Sequence, residues 1–480
     1  MKKIAIIGAG LGGLTAGALL AKKGHKVTIL EQHNIVGGCA TTFKRKGGFT
    51  CEVGLHEMDG VYTNPSIVKI FEKLDVYKHV KFLKANEFFE VVTQKGVFKM
   101  PDGLDEAQNA LVARFPKEED AIKRYFKRIT SIGETLKMFQ NPSWYHFLLF
   151  PFSLIPIFWY KSKTVSDVIN KLFKDEELKL ILNANVQYYN DSPDTLSFLL
   201  HAVAQHSYYE GGGYFIKGGS GTLSNYLAEL IRQHGGEVIT KAMVRSCSQN
   251  SIEYEHKKKG YRVDVDEVIS NLSPEQTYGL YGLDYVEKKP LGNSLLTIYL
   301  GFSQNLKEVY GERAYSNFIF DEMASVEDFN RMIKEDILEK AFIFVDYSQL
   351  DSGLTKDEHK SFGAVTIMDE IKDWEGLTKE EYEAKKEKLI EHTLQKLENY
   401  YPNITNLVEY AEVGTAKTVK RYIKTPNGTA YGFKPTPKVF FSIPEVKSKK
   451  IANLHFVGQW VISGGFSASI ASGGLCAKRF

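Results

Sequence analysis

The stretch from Lys3 to Glu31 constrains this chain more than any other. Lys3 to Ile7 is a short apolar run rich in β-branched residues, as a parallel strand buried on both faces requires. It leads into Gly8-Ala9-Gly10-Leu11-Gly12-Gly13, a GxGxxG turn, then a helical pattern reaching about Lys23 and a second strand, Val27 to Leu30, that ends at Glu31. Each glycine has a mechanical task. Gly8 allows a tight turn, Gly10 lets backbone approach a pyrophosphate, and Gly13 lets helix and strand pack closely. The helix start then offers unpaired N–H groups and the positive end of its dipole to phosphates. Glu31 can accept both hydroxyls of an adenosine ribose. Strand, turn, helix, strand and acid in register predict a dinucleotide site.

The residues that follow favour FAD over NAD. Directly after Glu31 comes Gln32-His33-Asn34-Ile35-Val36-Gly37-Gly38-Cys39-Ala40-Thr41-Thr42-Phe43, a second glycine pair that brings backbone close to an extended cofactor. Gly47-Gly48-Phe49 and Cys51-Glu52-Val53-Gly54-Leu55-His56 predict a hairpin returning to the same place. This arrangement resembles the FAD-binding half of the amine oxidase and phytoene desaturase superfamily. Its GG-C-x-T-F and G-x-H pieces most resemble the retinol saturase (all-trans-retinol 13,14-reductase) and carotenoid isomerase branch. Arginine often follows the glycine pair in amine oxidases, and Cys39 stands there instead.

Two later regions carry the same resemblance. His201, His206, Tyr208 and Tyr209 precede Gly211-Gly212-Gly213-Tyr214 and Gly218-Gly219-Ser220-Gly221, a pattern similar to retinol saturase, with Ile216 where that family tends to have proline. A helix follows from Thr222, then a strand at Glu237-Val238-Ile239, an edge near Val244 that in the superfamily touches the adenine, and a buried strand, Glu267 to Asn271, returning to the flavin. Near the end, Tyr422 to Gly432 resembles the family's G-x-x-YG segment. His455-Phe456-Val457 runs into Gly458-Gln459-Trp460, then Ser463-Gly464-Gly465-Phe466 and a helix beginning near Ala468. This is a second backbone approach to pyrophosphate and flavin, with Gln459 where relatives commonly carry an acid. The cofactor set is therefore Gly8, Gly10, Gly12, Gly13, Glu31, Gly37, Gly38, Thr42, Val244, Asn271, Gly458, Gln459, Gly464, Gly465 and Phe466. For catalysis the resemblance points to His56, Tyr208 and Tyr209, with His206 and Tyr431 also near family positions.

Composition sets the frame around these motifs. At 480 residues the chain exceeds one ordinary core, so interleaved domains are expected. The fold class is α/β: a discontinuous Rossmann-like FAD-binding domain (1–75, 210–285 and 411–480) with an inserted α+β substrate domain (76–209 and 286–410). Strands are expected at Ser294 to Leu300, Ala341 to Tyr347 and Ala364 to Met368, and an amphipathic helix from Lys379 to about Tyr400. Sixty-one basic against fifty-eight acidic residues leave a net +3, which argues against a nucleic-acid partner. Cys39, Cys51, Cys247 and Cys476 lack metal-ligand spacing, so no metal site is expected and a reducing, cytoplasmic setting is the simplest reading. The apolar N-terminus after Lys2-Lys3 mimics a signal peptide, but its spaced glycines read as strand, turn and helix.

Residues 144–160 are different. The fourteen residues from Phe147 to Tyr160 contain no charge, and prolines stand at 151 and 156. Spanning a bilayer takes about twenty apolar residues, so this is no ordinary transmembrane helix. Two readings remain: the lining of an apolar tunnel, or a patch dipping into a membrane interface with Trp144, Tyr145, Trp159 and Tyr160 as anchors and Lys161 and Lys163 at the headgroups. A membrane-partitioned substrate makes both true, and peripheral membrane association is expected. Aromatics make up 12% of the chain and concentrate at 144–160, 188–215 and 422–433, as an apolar cavity would require. The function expected from the resemblance is FAD-dependent chemistry on C=C bonds of an apolar polyene, a retinoid or carotenoid. The alternatives are a phytoene-type desaturase running oxidatively and a membrane-associated FAD protein without turnover.

Overall fold

The computed structural model describes residues 1–54, 56–140, 154–188, 192–442 and 445–480. Five short strands form an all-parallel sheet in the order Leu454–Phe456, Glu267–Ser270, Lys3–Ile7, Lys26–Leu30, Glu237–Ile239. Lys3–Ile7 lies at its centre, with Ile4 opposite both Val27 and Glu267. Ile4, Ile6, Val27, Ile29, Val268 and Ile269 are fully buried. Helices Leu11–Lys22, Gly221–Gln233 and Phe466–Ala477 pack around it, and both faces of a parallel sheet need such cover. Helix Leu11–Lys22 lies against Phe466–Ala477 at Gly473, where a Cβ would stand 2.6 Å from the Gly12 carbonyl.

The second sheet has seven strands in the order Val408–Gly414, Ser294–Phe302, Ser361–Asp369, Phe342–Asp346, Ser316–Phe320, Phe89–Thr93, Gly96–Met100. Every neighbour is antiparallel except the pair Ser316–Phe320 and Phe89–Thr93. Strand alternation divides its residues between two environments. Leu296, Ile298, Leu300 and Phe302 enter a core with Trp374, Leu389, Leu394 and Leu397, under helix Lys379–Glu398. Leu295, Thr297 and Tyr299, on the opposite face, line the large cavity. The expected strands of this region are present: Ser294–Phe302 and Ser361–Asp369 run two and four residues longer than expected, and Phe342–Asp346 is one residue shorter at each end. Val408–Gly414 pairs along Ser294–Phe302 from Phe302 to Thr297, so by hydrogen bonding the second sheet continues past the expected boundary at 410 to Gly414. A group of helices, among them Glu119–Gln140 and Phe198–Gly211, covers the remaining side, joined at Tyr125 Oη and His201 Nε2, 2.9 Å apart.

Candidate functional site

Four strands of the parallel sheet end at the same place. The residue after Lys3–Ile7 is Gly8, after Lys26–Leu30 Glu31 and after Glu267–Ser270 Asn271, while Gly458 lies two past Leu454–Phe456. Ligands bind outside the carboxyl ends of such strands, and here the four ends are built to leave room. Gly8 and Gly458 have φ of +94° and +87°, in the left-handed region. A Cβ on Gly12 would fall 2.5 Å from the Gly458 nitrogen, and one on Gly10 2.5 Å from Asn271 Nδ2. The Asn271 amide thus fills the space between the two glycine turns. The N–H of Gly458 donates to Ser472 Oγ at 2.7 Å, holding the turn on the C-terminal helix.

Glu31 is buried and already oriented. Its Oε2 accepts from the Ala9 N–H at 2.7 Å and its Oε1 from the His33 N–H at 2.8 Å. Burial raises its carboxyl above the ordinary range, and these backbone donors pull it back. Gly37 donates its N–H to the Ala9 carbonyl at 2.7 Å, which lays the second glycine pair beside the first. Ala242 donates to the Glu31 carbonyl at 2.8 Å and brings Val244 to the same wall. The sequence-derived cofactor set surrounds one cavity of about 2120 Å³, with the exception of Gly13. Gly13 faces away from it, since a Cβ there would meet the Gly8 carbonyl at 2.3 Å: its place is helix-to-strand packing.

Beyond the glycines the same cavity is lined by Leu136, Phe139, Leu200, Val203 and Phe440. Phe433 and Trp460 also line it, edge to face at 5.0 Å. His56 faces it. Its Nε2 is 2.9 Å from Thr366 Oγ1, its Nδ1 is buried without a hydrogen-bond partner among the described residues, and burial pushes the imidazole down to about 4. Tyr208 and Tyr431 reach the cavity as well. Tyr209 does not: consecutive helical residues point about 100° apart, and Tyr209 turns into the core against Phe88 and Phe126, at 5.1 and 5.3 Å. It is therefore no candidate for catalysis. His206 also lies away from the cavity, 2.8 Å from Glu134. Glu134, His206 and Glu210 could gather round a cation, but Lys137 already pairs with both carboxylates. All four cysteines are free thiols, and burial pushes Cys39 up to about 11.

Sequence reading missed Tyr188, Glu57, Thr297 and Tyr299, which line the cavity from other segments. Only the alternation along Ser294–Phe302 could have pointed to Thr297 and Tyr299. Glu57, beside His56, carried no signal. Trp144 and Tyr145 lie outside the described residues. Of the other two expected anchors, Trp159 is exposed, whereas Tyr160 packs against Phe198, at 5.0 Å.

The parallel sheet, its glycine turns and the prearranged acid define a dinucleotide-binding flavoprotein of Rossmann type. The chain belongs to the flavin containing amine oxidoreductase family, whose model matches residues 11–479, and it is an FAD-dependent oxidoreductase. All-trans-retinol 13,14-reductase of Danio rerio is 26% identical to it, over 98% of this chain and 85% of the relative. Prolycopene isomerase 1, chloroplastic, of an Oncidium hybrid cultivar is 28% identical over 99% and 83%. Among solved structures, cyclohexylamine oxidase from Brevibacterium oxydans IH-35A shares the fold, with a TM-score of 0.64, 15% identity and coverage of 100% and 98%.

Proposed function

We propose that this oxidoreductase acts on C=C bonds of an apolar polyene of the retinoid or carotenoid kind. One observation carries the reading: a single cavity of about 2120 Å³ runs from the glycine turns to walls of leucine, valine and phenylalanine. Ordinary small-molecule pockets reach about 1,000 Å³, so this one has room for a dinucleotide and a second, apolar ligand beside it. The names of the two relatives support the same substrate class.

In this reading Glu31 holds the adenosine ribose, and Gly8, Gly10 and Gly12 admit the pyrophosphate to the start of helix Leu11–Lys22. Gly37, Gly38 and Thr42, with Gly458, Gln459, Gly464, Gly465 and Phe466, hold the flavin half, and Val244 and Asn271 close the adenine and pyrophosphate sides. Bound FAD supplies hydride chemistry, exchanging an electron pair with a substrate carbon. The chain's own part is to align the polyene and exclude water, which Leu200, Val203 and Phe440 do by lining its path. His56 is neutral at neutral pH and tied to Thr366, so it shapes the cavity and carries no extra proton.

The membrane surface is the proposed partner. The helix 154–160 exposes Ile155, Phe158 and Trp159 at 57, 59 and 72%, next to Lys161 and Lys163. Among the described residues no helix is long and apolar enough to cross a membrane, and a half-immersed patch needs no such helix. Four free thiols fit a reducing compartment.

Anaerobic stopped flow on the FAD-loaded protein tests the substrate class and its direction. Reoxidation of prereduced flavin by all-trans-retinol or a carotenoid indicates saturation. Bleaching of oxidised flavin supports phytoene-type desaturation. Absence of either response, together with no reduced, desaturated or isomerised product by chromatography across both classes, refutes the polyene reading.

A further inference from the structure

Three side chains from distant segments form a hydrogen-bonded line in the cavity wall. Tyr188 ends the turn Ala184–Tyr188, Ser316 opens the strand Ser316–Phe320, and Glu57 follows His56. Tyr188 Oη donates to Ser316 Oγ at 2.8 Å, and Ser316 Oγ donates to Glu57 Oε1 at 3.0 Å. Ser316 is fully buried, whereas Tyr188 and Glu57 both line the cavity. The Tyr188 ring lies over the His56 imidazole, with centroids 6.0 Å apart and planes 21° from parallel.

The surroundings of Glu57 decide its charge. Its Oε2 is buried with no hydrogen-bond partner among the described residues. Asp102 acts on it from a neighbouring segment, but that carboxylate is paired with Lys84 at 2.5 Å. Tyr315 and Tyr208 face it too, the Tyr208 hydroxyl donating to the Glu57 carbonyl at 3.4 Å, and His56 stands beside it in the chain. No described Lys, Arg or His forms an ion pair with Glu57. A desolvated carboxyl without a counter-ion keeps its proton, and burial pushes Glu57 up to about 8.

We propose that Glu57, Ser316 and Tyr188 are the proton-delivery line of this enzyme. The proposal rests on the polyene reading and adds to it the source of the proton. Tyr188 is the catalytic residue that meets the substrate, and Ser316 and Glu57 are positioning residues that act through it. With Glu57 protonated on Oε1, the hydroxyl rotors turn and the same line runs outward: Glu57 donates to Ser316, Ser316 donates to Tyr188, and the Tyr188 O–H points into the cavity. In saturation the π bond breaks and two C–H bonds form. One carbon receives hydride, with its electron pair, from the reduced flavin, and the other receives the Tyr188 proton. The Tyr188 O–H that breaks is remade from Ser316, Ser316 is refilled from Glu57, and Glu57 is left as carboxylate. The substrate is reduced by two electrons and the flavin oxidised by two. At neutral pH the line is loaded as a donor, which favours saturation, or isomerisation begun by protonation, over oxidative desaturation.

Two measurements test this. Infrared difference spectra of the oxidised holoenzyme should show a protonated-carboxyl band at neutral pH that disappears as pH passes about 8 and is absent in Glu57→Gln. No such band at neutral pH overturns the proposal. In anaerobic stopped flow with all-trans-retinol as probe, the rate of flavin reoxidation should fall above pH about 8 in the wild type. Glu57→Gln should lose that limb, and both it and Tyr188→Phe should be slower by about 100-fold, as removal of a general acid predicts. Ser316→Ala should be similarly slow and Ser316→Thr, which keeps the hydroxyl, close to wild type. Unchanged FAD affinity and Tm establish that the variants are folded. A wild type that responds to retinol while Glu57→Gln keeps the same pH profile, or Tyr188→Phe the same rate, refutes the line alone. A wild type that gives neither a flavin response nor an isomerised product with retinol or any carotenoid refutes the substrate reading and the delivery step with it, whatever the infrared spectrum.

Discussion

Replacing Gly12 by alanine sets two effects against each other within one helix. Alanine improves helix propensity over glycine by about 1 kcal/mol, which taken alone stabilises Leu11–Lys22. At Gly12, however, the added methyl would stand 2.5 Å from the Gly458 nitrogen, 2.7 Å from its Cα and 2.9 Å from Asn271 Oδ1. Backbone that is already hydrogen-bonded to Ser472 gives way poorly, and overpacking of this kind costs about 1–3 kcal/mol, at the upper end here. The clash therefore wins, and it moves the helix start from the second glycine turn where the pyrophosphate must sit. Gly17 is the internal control, with the same helix and the same propensity gain. Its added methyl would meet only the Cδ1 ends of Ile231, Ile29 and Ile6 at 3.0, 3.0 and 3.2 Å, which can rotate. We expect Gly12→Ala to lower Tm and weaken FAD by about tenfold or more, equivalent to about 1.4 kcal/mol. Gly17→Ala should stay yellow, with a Tm near wild type. The assays are thermal melts and FAD titration of the apoprotein followed by flavin fluorescence. A Gly12→Ala protein with wild-type Tm and wild-type Kd for FAD would refute the account of the two glycine turns as one closely packed cradle.

Three further outcomes follow from the same geometry. Glu31→Gln replaces an acceptor of the Ala9 and His33 N–H groups with an amide that presents a donor to one of them, so FAD titration should show binding weaker by about 1.5–3 kcal/mol, roughly 10- to 150-fold. The folded pKa of His56 lies below its unfolded value of 6.5, so its contribution is present above pH 6.5 and lost as pH falls through about 4. In urea melts wild type should lose up to about 3 kcal/mol relative to His56→Gln as pH falls through that window; parallel curves would contradict a buried neutral imidazole. Phe158→Glu combined with Trp159→Glu should abolish co-sedimentation with anionic phospholipid vesicles and leave FAD content unchanged, and unaltered sedimentation would remove the helix 154–160 as the docking patch.

The cofactor end of this protein was legible in its sequence because it is made by backbone. A turn at positive φ, a helix start open to phosphate and a strand end each demand glycine or a short polar residue at a set position, so Gly8, Glu31, Asn271 and Gly458 declare themselves one or two residues past their strands. Local pattern also placed three strands of the second sheet, Ser294–Phe302, Phe342–Asp346 and Ser361–Asp369, since each is a nearly continuous buried run, but not Gly96–Met100 or Val408–Gly414, whose residues are mostly exposed or half-buried. Side-chain chemistry was less legible. Tyr208 and Tyr209 are neighbours in sequence, and only the rotation of helix Phe198–Gly211 decides that the first meets the cavity and the second the core. Glu57, Ser316 and Tyr188 have no common motif, and 259 positions separate Glu57 from Ser316. Their meeting depends on the second sheet folding against the cofactor domain. The sequence by itself thus determined which dinucleotide this chain can hold, because conformational freedom is written residue by residue. Tertiary structure alone decided which side chains face the second ligand and which of them keep a proton, because burial and charge are set by neighbours that only packing brings together.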